Sequence, residues 1–295
     1  MQMDLSSFPM ARVIDAKRGG GQLLKWIGNK QRFAKEIIRY FPDNYGVYYE
    51  PFLGSGAVLG ALSPETGIAS DTFAPLLGIW EALKRSPETL KDWYAMRHGR
   101  MNRAASQKDG YENIKADYNA SPNSADLLFL CRSCYGGVVR FRKRDGYMST
   151  PCGIHTPISP DSFGRRVDAW AEKVAGTDFI HADYKVSLAA AQSGDLVYCD
   201  PPYTHSQAIL YGAQEFSLGE LFNEIEKAKE RGVYVSLSID GTKRSGETQC
   251  ELPLPADLFE REVFIDCGRS MLRRFQMGGE TLETECVSDR LLLTY

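Results

Sequence analysis

Tyr198-Cys199-Asp200-Pro201-Pro202-Tyr203 follows directly on Asp195-Leu196-Val197, and the apolar run 195–199 reads as a short buried strand with a turn signal at Gly194. An acid, two stiff prolines and an aromatic ring are therefore expected at the carboxyl end of that strand. In open α/β sheets this is the end where ligands bind. Consecutive prolines fix φ and remove two backbone donors, which leaves the carbonyls of Asp200 and Pro201 as acceptors in a rigid loop. Such a loop can hold an amino group by its hydrogens while Tyr203 stacks on the ring that carries it. A strand ending in an ordinary Pro-Pro turn has the same appearance, so the companions of this run matter.

One companion is Tyr48-Tyr49-Glu50-Pro51-Phe52-Leu53-Gly54-Ser55-Gly56-Ala57, where strand residues enter a Gly-x-Gly turn that opens a helix at Ala57-Val58-Leu59. Glycines there permit a tight turn and close approach of a ligand to the backbone. The third glycine of a dinucleotide fingerprint is not in register. Ile68-Ala69-Ser70-Asp71 follows as a second short strand ending in an acid, 15 residues after Gly56. Nucleoside-binding α/β units put the carboxylate that holds ribose hydroxyls near this place. Asp71 can equally cap the helix beginning at Thr72-Phe73-Ala74.

Strands are expected near 46–49, 67–70, 177–181, 195–199, 233–239, 261–267 and 284–294, with helices between most of them. That pattern predicts an α/β fold: a doubly wound, mostly parallel sheet with an antiparallel strand added near the end. Lys30 to Phe41 has a helical apolar pattern stopped by Pro42. Residues 86–155 break the alternation and read as helices over Pro87–Met101, Tyr111–Tyr118 and Ala125–Tyr135, followed by a basic hairpin. The expected division is a flexible arm over 1–21, a catalytic domain over 22–85 and 156–295, and an insert over 86–155. At 295 residues and 43% hydrophobic content, the chain can bury one substantial core plus a smaller insert. No run reaches transmembrane length and Met1 to Met10 lacks an apolar signal core, so a cytoplasmic protein without a membrane partner is expected.

With these blocks assembled, the chain resembles the Dam-type (D12 class, alpha-group) DNA adenine-N6 methyltransferases over residues 23–295. Leu24-Lys25-Trp26-Ile27-Gly28-Asn29-Lys30 is similar to the family's amino-terminal Lys-Trp-x-Gly-x-Lys. The blocks Glu50 to Gly56 with Asp71, and Asp200-Pro201-Pro202-Tyr203, follow in the family's order. Arg132 through Tyr135-Gly136-Gly137 to Arg140-Phe141 is like its recognition segment, and Arg269-Ser270…Arg273-Arg274…Gly278-Gly279 also looks familiar. The resemblance implies a Rossmann-like fold, S-adenosylmethionine as cofactor and double-stranded DNA as substrate; no obligatory protein partner is evident, and the sequence does not show whether a separately acting cognate restriction endonuclease exists. It implies that Trp26, Lys30, Asp71 and Asp200 contact the cofactor, that Pro51, Phe52, Gly54, Ser55 and Gly56 line it, and that Phe179 and Asp183 lie beside its base. Asp200, Pro201, Pro202 and Tyr203 would be catalytic. Thr72 stands where the family commonly has Asn, a departure beside the ribose.

The chemistry is intelligible without the family. An exocyclic adenine amine is a poor nucleophile because its lone pair is delocalised into the ring. Acceptors for its two hydrogens, at Asp200 and the Pro201 carbonyl, would draw the nitrogen toward tetrahedral geometry and turn its lone pair outward. The base must leave the duplex to reach such a loop, and Tyr203 offers the replacement stacking surface. Net charge is −3, against indiscriminate nucleic-acid binding, yet Arg140, Arg142, Lys143 and Arg144 crowd five positions beside Phe141 and Tyr147. Alone this is a solvated hairpin tip; beside the catalytic blocks it is a DNA-contact hairpin with Asp145-Gly146 as its turn. Lys25, Arg132 and Tyr135 join it as expected DNA contacts. Arg140 aligns with an arginine that the family uses to read guanine, and GATC is the family's commonest target. A methyltransferase for an RNA base or another amino group, or a catalytically dead DNA-binding homologue, are the competing classes.

Seven cysteines, an odd count at irregular spacing, fit reduced thiols. Cys131-x2-Cys134 and, after a gap of 17 residues, Cys152-x2-His155 have the spacing of a tetrahedral zinc site. Cys131 and Cys134, however, lie on a predicted helix where two thiols can simply share a face. Buried small hydrophobic cysteines and no metal are the expectation. Cys199 has no adjacent base to make it a nucleophile.

Overall fold

A computed structural model describes residues 21–26, 28–202, 216–243, 248–249, 254–269 and 286–295. Tyr203, residues 1–20 of the expected arm and the run from Ser270 through Gly279 lie outside these. The elements are, in order, α1 (Ala34–Ile38), β1 (Tyr48–Glu50), α2 (Ala57–Leu62), β2 (Gly67–Asp71) and α3 (Ala74–Arg85). Then come α4 (Pro87–Asn102), α5 (Gln107–Ala120), α6 (Ser124–Ser133) and a 3-10 turn over Tyr135–Gly137. The remainder is α7 (Pro160–Lys173), β3 (Thr177–His181), α8 (Tyr184–Ala190), β4 (Leu196–Cys199), α9 (Leu218–Glu230), β5 (Tyr234–Lys243), β6 (Thr248–Gln249), β7 (Arg261–Arg269) and β8 (Cys286–Leu293).

The strands form one sheet in the order β3-β2-β1-β4-β5-β8-β7, with β6 paired to β5 off this path. The pairs β2–β3, β1–β2, β1–β4 and β4–β5 are parallel, and β8 runs antiparallel to both β5 and β7. All seven expected strands are present, and β8 is the expected reversed one. The two-residue β6 is too short to have left a period. From β1 the chain winds one way through β2 and β3 and the other way through β4 and β5, so the order reverses between β1 and β4. A crevice opens at such a switch point, outside the carboxyl ends of the strands.

The central strands are apolar on both faces, as a sheet covered twice must be. On one face Tyr48, Leu196 and Tyr198 pack in a cluster with Leu59, Trp80 and Trp170 from α2, α3 and α7. On the other, Tyr49, Val197 and Cys199 pack with Leu188, Leu221 and Ile225 from α8 and α9. Strand alternation sorts these residues, and each fully buried large side chain contributes roughly 1.5–3 kcal/mol. Helices α4–α6 join the first cluster. The Tyr94 ring stacks on Phe163 of α7 at 4.2 Å, and its hydroxyl donates to the Ile158 carbonyl at 2.8 Å.

Two local expectations need correcting. The helix expected from Lys30 to Phe41 is only Ala34–Ile38, because the Asn29 side chain takes the Gln31 N–H (2.7 Å) and Lys30 is turned inward to ion pairs. The basic segment is a short hairpin, but its turn is wider than Asp145-Gly146 alone. Arg142 N–H bonds the Tyr147 carbonyl (2.9 Å) and Gly146 N–H bonds the Arg142 carbonyl (2.8 Å), which closes a wider loop over 143–146. The Phe141–Met148 bridge pairs its two arms, and Ser149 N–H bonds the Arg140 carbonyl at 2.9 Å beyond it. Asp145 holds the loop by accepting from Arg142, Arg144 and the Tyr147 N–H.

Candidate active site

The turn after β1 is built around two glycines in the left-handed region, Gly54 (φ 48°) and Gly56 (φ 58°). A Cβ at Gly56 would lie 2.9 Å from Trp80 Cη2, inside contact distance. Trp80 in turn donates its indole N–H to the Gly54 carbonyl at 3.2 Å. Asp71, at the end of β2, fastens the turn from the other side. One carboxylate oxygen accepts the Gly54 N–H (3.1 Å) and the other accepts the Phe73 N–H (2.9 Å). The N-cap of α3 is Phe73 itself, so Asp71 shapes the helix entrance without capping it. Burial pushes the Asp71 carboxyl above its ordinary range, partly opposed by these backbone donors.

Across the crevice, Asp200 stands at the end of β4. The Lys30 ammonium is 2.9 Å from Asp200 Oδ1 and 3.4 Å from Asp289 Oδ2, and it donates to the Gly28 carbonyl at 3.3 Å. Lys30 is 4% exposed, and in such a place a charge persists only when paired and hydrogen-bonded. Glu50, at the end of β1, is also buried. Burial pushes its carboxyl up to about 8, against the Tyr48 hydroxyl that donates to it at 2.6 Å and with the help of the nearby Asp200 charge. Pro201 is buried and Pro202 lines the same space.

These groups surround one cleft of about 980 Å³. Of the expected cofactor contacts, Trp26, Lys30, Pro51, Phe52, Gly54 and Ser55 line it, together with Asp71, Asp183 and Asp200. Gly56 sits beneath the turn against Trp80. Phe179 does not reach the cleft wall; its ring stacks on Trp80 at 5.8 Å and backs the glycine turn from below. Two aromatic groups went unforeseen. Phe52, Tyr184 and Phe216 form one, with Phe52 stacked on Tyr184 at 5.3 Å and Phe216 edge-on to both. Trp26, Phe73 and Phe141 form the other, with Phe141 edge-on to Phe73 at 5.4 Å. Phe141 adjoins Arg140, so the basic segment itself contributes to the cleft wall. Glu50 and Asp289 were also missed. Glu50 holds the position on β1 that Asp200 follows on β4, a signal present in the sequence; Asp289 left none.

The basic loop is exposed at Arg140, Lys143 and Arg144, while Arg142 lies over the Tyr147 ring at 4.1 Å. Lys25 is exposed, with its ammonium pushed below its usual range by partial burial and the neighbouring Arg132 and Arg166. Tyr135 is half-buried in its 3-10 turn. Arg132 is placed otherwise than expected. It is 4% exposed, and its guanidinium donates to the carbonyls of Gln22 and Leu23 at 2.7 and 2.8 Å, so in this structure it anchors backbone instead of facing a duplex. Arg166 donates to the same Gln22 carbonyl (3.1 Å). Cys131 and Cys134 are buried, with burial raising both thiols, and no group of three potential ligands exists among the described residues. No described helix is long and apolar enough to cross a membrane.

A doubly wound sheet with a reversed strand beside β5, a glycine turn after β1 and an acid-Pro-Pro loop after β4 define the class of α/β methyltransferases. Residues 26–252 match the D12 class N6 adenine-specific DNA methyltransferases, and the chain belongs to that family. Its reaction is methyl transfer to adenine N6 in DNA. It is similar to a DNA adenine methylase of Vibrio cholerae, at 30% identity over 73% of this chain and 79% of that one. It is likewise similar to the retron Ec67 DNA adenine methylase of Escherichia coli, at 30% identity over 61% and 63% of the two chains. A type II methyltransferase, M1.LlaDCHI of Lactococcus lactis, is 25% identical over 72% and 79%.

Proposed function

We propose that this cleft takes S-adenosylmethionine and a flipped adenine together, and that the protein methylates duplex DNA at a sequence read by residues 86–155. One observation carries the proposal: Asp200, fixed by Lys30 at 2.9 Å, shares a single cleft with the glycine turn and Asp71. The residues fit the cofactor. The volume is at the upper end of the usual range for small-molecule sites, which leaves room for a base beside it. Asp71 faces the cleft as a ribose acceptor, the Pro51–Ser55 backbone allows close approach, and Phe52 and Tyr184 offer apolar stacking surface. When bound, the cofactor supplies an activated sulfonium methyl group.

The chain's own residues do the rest. Asp200 and the Pro201 carbonyl accept the two hydrogens of the adenine amine, which localises the nitrogen lone pair and places negative charge where positive charge develops. Tyr203, which follows Pro202, supplies the ring against which the flipped base stacks. Arg140 reads a guanine edge, Lys143 and Arg144 touch phosphates, and Lys25 and Tyr135 border the duplex. GATC is the sequence to test first.

Calorimetry checks the cofactor assignment. S-adenosylmethionine should bind the free protein, and Asp71→Ala should weaken it about tenfold or more, the loss expected for a hydrogen bond to a charged group. Unchanged affinity would move the ribose site elsewhere.

A further inference from the structure

The Lys30 ammonium sits against two carboxylates. The second, Asp289, belongs to β8, and the reversed sense of that strand is what brings it here. Cys199 pairs in register with Leu237 of β5, whereas Asp289 pairs with Asp240, three residues further toward the crevice. Alternation puts Asp289 on the sheet face used by Leu291 and Leu293, which Tyr198 shares. Arg290, between them, pairs instead with Glu262 at 2.6 Å. Asp289 also lies beyond residues 26–252, the span that matches the family.

An ammonium committed wholly to Asp200 would fix that carboxylate but also cancel the charge that makes it a strong acceptor. A second carboxylate 3.4 Å from the ammonium divides its field between the two acids. We propose that Asp289 is a positioning residue for methyl transfer, drawing part of the Lys30 field off Asp200 so that Asp200 stays oriented yet remains a strong acceptor. The proposal rests on Asp200 being the amine acceptor. Glu50 from β1 and Tyr198 and Cys199 from β4 also face Asp200. Burial raises all three, so near neutral pH the neutral form predominates in each, and Lys30 and Asp289 are charged groups beside Asp200.

Asp289→Asn keeps the shape and removes the charge. It should lower kcat about tenfold, the scale of one charge-assisted hydrogen bond, and leave cofactor affinity and the DNA KM unchanged. With the competing carboxylate gone, Asp200 becomes more acidic, so the acidic limb of the kcat–pH profile should move to lower pH. Asp289→Glu should return the limb toward its original position. In a Lys30→Met background, Asp289→Asn should add nothing, since its effect runs through the lysine. An unmoved acidic limb, or equal losses in both backgrounds, overturns the proposal. Thermal unfolding checks each variant, and if Asp289→Asn does not fold, Asp289→Ser against Asp289→Glu makes the same comparison. Retained turnover in Asp200→Ala would instead sink the underlying assignment, whereas a dead Asp200→Ala with an unmoved Asp289→Asn profile sinks only this inference.

Discussion

Gly54 and Gly56 both have positive φ, yet alanine should cost very different amounts at the two positions. A Cβ at Gly54 would meet Trp26 Cδ1 at 3.4 Å, an ordinary contact, so the penalty is the left-handed backbone alone, about 1–2 kcal/mol. At Gly56 the same penalty applies, and the new methyl also overlaps Trp80 at 2.9 and 3.1 Å. Trp80 cannot yield freely: it is fully buried, packs against Trp170 and Phe179, and donates to the Gly54 carbonyl. Overpacking of this kind adds roughly 1–3 kcal/mol, so Gly56→Ala should cost about 2–5 kcal/mol in all. Urea unfolding at matched pH measures both variants. Gly54→Ala should keep most of its stability but weaken cofactor binding, because its methyl points at the Trp26 side of the cleft. Gly56→Ala should lose both. Gly56→Ala no less stable than Gly54→Ala would refute the assigned clash with Trp80.

Glu50 gives a pH signature. Its folded-state pKa, pushed up to about 8, exceeds its unfolded value, so its contribution to stability is fully present below the unfolded pKa and is lost as pH rises through the folded one. Glu50→Gln should flatten the fall in unfolding free energy between about pH 4.5 and 8, and an unchanged slope in denaturant titrations would mean that the carboxyl is ionised in the fold. In the basic loop, Arg140→Ala should relax the methylated sequence, since a bidentate guanine contact discriminates by roughly 1–3 kcal/mol. Lys143→Ala should weaken binding to all duplexes alike and flatten its salt dependence. Methylation profiling at matched ionic strength reads both, and a motif altered by Lys143→Ala but not by Arg140→Ala would reverse the assignment.

The strands were legible because each runs apolar between turn signals, and Asp71 and Asp200 because each ends such a run. What escaped was decided by tertiary placement. Arg132 has the sequence setting of a DNA contact, but α6 turns it inward onto the Gln22 and Leu23 carbonyls. Phe179 lies in the middle of β3, where the Trp80 indole captures its ring. Lys30 begins an apolar helical pattern, and its ion pairs pull the first turn out of the helix. Asp289 is one acid in an ordinary strand until the register of β8 sets it opposite Asp240 of β5. Local pattern identifies what ends a strand, but it does not show in which register a late strand lies against its neighbours or which face of a helix finds a partner.

The central claim is that Asp200 holds the adenine amine at the β1–β4 crevice. Its most direct test is transfer of a labelled methyl group from S-adenosylmethionine to duplex DNA by Asp200→Ala, with the fold checked by circular dichroism. Turnover should fall to background while the variant remains folded, since the carboxylate that orients the amine is gone. Near-normal methylation by folded Asp200→Ala would contradict the account.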